Sequence, residues 1–129
     1  RFMLALKTII SGYQDISTYI FDEIDVGISG ATAETVAKKF ADISRNVQII
    51  AISHLPQVCA MSDCALKISK SETDGKTFTV VKKLNRDEKI AEITRIMSGE
   101  KISEIAIKHA EETVNSCDEY KLKIGKTRI

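Results

Sequence analysis

The sequence predicts an α/β domain: a small, mostly parallel sheet, an antiparallel hairpin beside it, and C-terminal helices. Three observations predict it. Two short apolar runs, STYIFD at 17–22 and VQIIAIS at 47–53, flank a stretch with apolar residues at helical spacing, the pattern of strand, crossover helix and parallel strand. Asp74-Gly75 separates two runs of alternating polarity, a two-residue hairpin turn. Beyond Leu84 the apolar period becomes that of helices.

Taken in order, FMLALKTII at 2–10 is nearly all apolar and stops at Ser11-Gly12, which predicts a largely buried helix. STYIFD reads as a strand buried on both faces. Ala33, Val36, Phe40 and Ile43 line one face of a helix between Ser29-Gly30 and Asn46. VQIIAIS is a second buried strand, parallel to the first. In the hairpin, Cys64, Leu66 and Ile68 alternate with Ala65, Lys67 and Ser69, and Phe78, Val80 and Leu84 share a face. Ile90, Ile93 and Met97 mark a helix stopped by Gly99. Ile107, Ala110, Val114 and Cys117 mark a longer one, with Ser103 as its cap and Ile102 and Ile107 placed as a hydrophobic staple. The end, KLKIGKTRI at 121–129, has no clear period and reads as a frayed tail.

The 129 residues suit one modest domain. With 43% hydrophobic and 29% charged residues, one proline and six glycines, the composition is that of a globular protein. A formal charge of +1 gives no overall basic excess that would by itself imply nucleic-acid or membrane-surface binding. No apolar run approaches the eighteen or so residues of a membrane span, so no membrane partner and a cytoplasmic location are expected. Cys59, Cys64 and Cys117 form an odd set without disulfide spacing and read as buried, reduced thiols.

Chemistry concentrates where the first strand ends. Asp22, Glu23 and Asp25 follow an apolar run directly. In a parallel sheet, ligands bind outside the carboxyl ends of the strands. A carboxylate at such a tip with a second beside it can hold Mg²⁺ on a nucleotide and position an attacking water. The same residues could simply open a solvated loop. The second strand runs into Ser53-His54, which brings an imidazole to the same edge if the strands are neighbours, where it could bond a terminal phosphate. Cys59, Cys64, His54 and His109 fit no standard zinc spacing. Lys82, Lys83, Arg86, Lys121, Lys123, Lys126 and Arg128 could touch DNA, but show neither a helical stripe nor aromatic interleaving.

YIFDEIDVGISG followed by IIAISHLPQVCAMSD resembles the Walker B strand, D-loop and switch-histidine region of the ABC-type ATPase heads of SMC-like proteins. The D-loop form D-x-G-x-S-G is matched by Asp25, Gly27, Ser29 and Gly30, and S/T-H-L-P-Q by Ser53 to Gln57. EITRIMSGEKISEIAIKHAEE at 92–112 is similar to the C-terminal helices of such heads, so the likeness spans almost the whole chain. It implies Asp22 as the magnesium carboxylate acting through a water, Glu23 as the hydrolytic base, and His54 as the γ-phosphate switch. Asp25 to Gly30 would form the loop crossing between two heads with ATP sandwiched between them.

The likeness also implies the C-terminal half of a P-loop head, one partial domain over 1–129. The phosphate-cradling G-x-x-x-x-G-K-[ST] loop has no match here. Gly125-Lys126-Thr127 supplies only its last letters, with Tyr120 in place of the first glycine. The serine-glycine-glycine signature is also missing, and Ser98-Gly99-Glu100 does not replace it. The implied cofactors are ATP and Mg²⁺, held by the complete head and not tightly by this piece, which is expected to be inactive alone. Implied partners are the N-terminal half of the head, a second head engaged on ATP binding, and DNA, in a nucleoid-associated protein of double-strand break repair and recombination. Alternatives are the nucleotide-binding domain of a transporter, against which the D-loop and SHLPQ wording argue, and a non-catalytic interaction module.

Overall fold

A computed structural model describes residues 17–22, 27–28, 30–73, 75–99 and 102–125. The helix expected at 2–10 lies outside them, as do Glu23, Asp25 and Ser29. The elements are β1 (Thr18–Asp22), α1 (Gly30–Ile43), β2 (Gln48–Ile52), α2 (Pro56–Met61), β3 (Leu66–Thr73), β4 (Lys76–Lys83), α3 (Arg86–Ser98) and α4 (Glu104–Lys123).

β1 and β2 pair in parallel, from Thr18 opposite Gln48 to Asp22 opposite Ile52, with α1 as the crossover. Strand alternation sends Tyr19 and Phe21 inward and Ile20 outward, where it is 66% exposed. The expectation that both faces are buried is therefore corrected. Tyr19 and Phe21 join a core to which all four helices contribute, and Ile20, Ile50 and Ile52 stay exposed on the other strand surface.

The inner face meets α1 through Val36, Ala37 and Phe40. The Phe21 and Phe40 rings lie 4.9 Å apart between centroids, tilted by 35°. Val58, Ala60 and Met61 of α2, Ile93 of α3, and Ala110, Val114 and Cys117 of α4 complete one continuous core. Each large side chain in it contributes roughly 1.5–3 kcal/mol by leaving water.

The hairpin forms at the expected place, Thr73 opposite Lys76, with Gly75 at φ 70°, a left-handed conformation that glycine adopts without the steric penalty of a Cβ. Its packing differs from that of β1–β2. Leu66, Ile68, Phe78, Val80 and Val81 are all exposed. Among the described residues, Lys67 and Lys82 join the hairpin to the rest of the molecule through ion pairs, to Glu92 and Glu88 of α3.

α3 starts in a capping box. Asn85 Oδ1 accepts from the Glu88 amide at 2.9 Å, and the Asn85 amide donates to Glu88 Oε2 at 3.0 Å. Gly99, at φ 65°, ends the helix. Ser103 caps α4, its Oγ accepting from the Ala106 amide, while the staple residues Ile102 and Ile107 remain exposed. The frayed tail is corrected at its start. α4 runs to Lys123, and Lys121, only 3% exposed, places its ammonium 3.3 Å from both Asp63 and Asp118. A tertiary carboxylate 58 residues upstream holds what the local period left open.

Candidate functional site

The parallel register decides which residues share a rim. Asp22 closes β1, opposite Ile52, and is exposed. Because β2 runs the same way, its chain leaves at that rim, and His54, also exposed, stands two residues beyond Ile52. Asp22 and His54 thus emerge at one edge of the sheet.

Local chemistry shapes the His54 turn. Ser53 Oγ accepts from the Leu55 amide at 3.1 Å, a side-chain turn across His54. Leu55 then occupies the position before α2, and Pro56, with its fixed φ and no N–H, starts the helix. Gln57 lies in the first turn of α2 and is half-buried. The sequence reading missed α2. Pro56 and the apolar Val58 and Met61 were its signal, but six residues are too few to establish a period.

Between Asp22 and α1, Gly27 has φ 74° and Gly30 opens the helix. The left-handed backbone explains glycine at 27. At Gly30 a Cβ would meet nothing within 4 Å and φ is ordinary, so nothing described around it requires glycine there.

Among the described residues no three of His, Cys, Asp and Glu gather to hold a metal ion. A magnesium ion on a nucleotide needs little more than one carboxylate, waters and phosphate oxygens, and Asp22 at an open strand tip fits that demand. Gly125 follows α4 directly, so no strand leads into Gly125-Lys126-Thr127 as a phosphate loop requires; Lys126 and Thr127 lie outside the described residues. Ser98 and Gly99 are the end of α3.

Burial pushes the Cys59 and Cys117 thiols above the ordinary cysteine value, which keeps them protonated and unreactive. Cys64 is exposed, which corrects the reading of all three as buried. Of the cations considered for DNA, Lys82 pairs with Glu88 at 2.5 Å, Arg86 with Asp118 at 2.8 Å, and Lys121 is buried. No described helix is long and apolar enough to cross a membrane.

No family model matches the chain. Curated relatives do. The DNA repair protein RecN of Bacillus subtilis is 44% identical over 121 residues, 94% of this chain and 21% of that protein. RecN of Halalkalibacterium halodurans is 46% identical over 115 residues, 89% of this chain and 20% of that protein. RecN of Streptomyces coelicolor is 35% identical over 116 residues, 90% of this chain and 20% of that protein. The chain spans about a fifth of the length of these relatives. Among solved structures, one described as "Structural biochemistry of ATP-driven dimerization and DNA stimulated activation of SMC ATPases" superposes with a TM-score of 0.59 at 23% identity, covering 77% of this chain and 59% of that one. In sequence the chain therefore resembles the C-terminal part of RecN proteins, and its fold matches part of that solved SMC ATPase structure.

Proposed function

We propose that this chain supplies the Walker B and switch-histidine side of an ATP-hydrolysing head in an SMC-like protein of DNA double-strand break repair and recombination. The observation that carries the reading is the parallel register setting Asp22 and His54 on one rim. Asp22 holds magnesium through a water. Glu23 takes the proton of the attacking water, His54 bonds the terminal phosphate, and Asp25, Gly27, Ser29 and Gly30 cross to a second head. Bound Mg²⁺ neutralises charge on the phosphates, while the side chains named here orient the water and sense the phosphate. Glycine at Gly30, which its described surroundings do not demand, fits a loop that a partner's backbone approaches closely.

The same reading accounts for the exposed apolar strand surfaces. Ile20, Ile50 and Ile52 on one sheet and Leu66, Ile68 and Val81 on the other are surface that the rest of a head would cover. The location is cytoplasmic, on the nucleoid. The chain by itself neither holds ATP tightly nor turns it over.

ATP hydrolysis by the chain alone, and by the chain supplied with the remainder of a RecN-length protein, tests this. The expected result is no turnover alone, turnover in the complete protein, and its loss in Glu23→Gln and His54→Ala. Turnover that survives Glu23→Gln refutes the assignment.

A further inference from the structure

We infer that Lys89, on α3, is a positioning residue for His54, acting through α2. The inference rests on the proposed role of His54, but its geometry stands apart from any nucleotide.

α2 has six residues, too few to be stable by its own hydrogen bonds. Its N-terminal end is fixed locally by the Ser53 turn and Pro56. At its C-terminal end the last carbonyls need partners from elsewhere. Ser62 serves the Cys59 carbonyl with both its amide, at 3.2 Å, and its hydroxyl, at 2.7 Å. The Ala60 carbonyl, at 2.9 Å, and the Ser62 carbonyl, at 2.7 Å, both accept from Lys89 Nζ. An ammonium there also meets the negative end of the helix dipole.

Lys89 thus caps α2 from another helix. Burial and the neighbouring Lys121 pull its pKa below the ordinary lysine value, so the charge sits there against a desolvation cost that the two carbonyls offset. A second tie lies next to it: Lys121 of α4 pairs with Asp63, the residue after Ser62. Both lysines line a cavity of about 150 Å³ with Ser62, Asp63 and Asp118.

The mechanical consequence follows from length. Only Leu55 separates His54 from α2, so a shift of this short helix is carried straight to the His54 turn. Without the ammonium, two carbonyls in a half-buried place lose their donor, and α2 relaxes away from α3.

The chain contains two histidines, His54 and His109, and His109 on α4 is an internal reference for proton NMR of the imidazole rings. In Lys89→Met, which keeps the aliphatic stem, the His54 ring signals should move and broaden, with a displacement several-fold larger than at His109. Lys89→Arg, which restores a charged donor, should return them toward their original positions. Ile93→Val, a core change on the same helix, should lower the melting temperature and leave His54 in place. If Lys89→Met does not fold, Lys89→Gln carries the same comparison.

His54 signals that stay unmoved in the Lys89 variant, or that move equally in Ile93→Val, overturn the inference. Displaced His54 signals together with hydrolysis insensitive to His54→Ala in the complete protein would leave the positioning role standing and remove the catalytic reading.

Discussion

The two small sheets meet opposite fates. β1–β2 joins on one face the core to which the four helices contribute, with Tyr19 and Phe21 buried. β3–β4 is longer and antiparallel, yet exposed along both strands, tied down where Lys67 and Lys82 reach α3. Strand pairing and core membership are therefore separate properties. The hairpin forms because its turn chemistry and neighbouring strands suffice to set its register. The parallel pair needs its crossover helix and the core beneath it.

That contrast can be broken by substitution, and the largest effect belongs to the core. Phe40→Ala removes the ring stacked on Phe21, and its expected cost is about 3–5 kcal/mol in urea unfolding. A cost near that of a surface change would mean that α1 does not hold the sheet.

The link between the regions ranks next. Glu92, with a side chain 12% exposed, bonds Arg95 on its own helix and Lys67 on the hairpin, each at 2.6 Å at the closest. Arg95 first, then Lys67, holds the Glu92 carboxyl below the usual carboxylate range. Because the folded pKa is depressed, this stabilisation is complete above the ordinary value near 4.5 and is lost as pH falls through the lower folded value. Glu92→Gln should cost about 1 kcal/mol at neutral pH, the partners being half-exposed, and should flatten the acid limb of stability against pH. An unchanged acid limb would remove Glu92 from the link.

The smallest change is expected on the hairpin itself. Ile68, 62% exposed, replaced by Ser should alter the stability of the chain by no more than about 0.5 kcal/mol. The same substitution in the complete protein should cost more, which sharpens the contrast by showing where a covering surface arrives.

Most of the fold was legible because its signals are local. The Asp74-Gly75 turn signal, the Gly99 stop and the Ser103 cap each depend on residues within a turn or two of one another, and the β1–α1–β2 crossover on three consecutive runs of distinct period. What escaped was tertiary. α2 is shorter than two helical turns, and its contacts with Lys89 and the core come from residues distant in sequence. Lys121 looked like part of a solvated end because Asp63, its partner, lies 58 positions away. Burial on both strand faces was inferred from an apolar run, and a run cannot say whether a covering layer belongs to the same chain. At the rim, the shared edge of Asp22 and His54 followed from the βαβ pattern alone, whereas Glu23, Asp25 and Ser29 lie outside the described residues and keep only their sequence assignment.

The hairpin bend has a practical use. The link between Thr73 and Lys76 lies at the far end of an arm that contributes little to the packed interior, the kind of location where added sequence is tolerated. A fluorophore-bearing loop or an affinity sequence spliced there would report on this piece, or immobilise it, while leaving the strand-end chemistry and the four helices undisturbed.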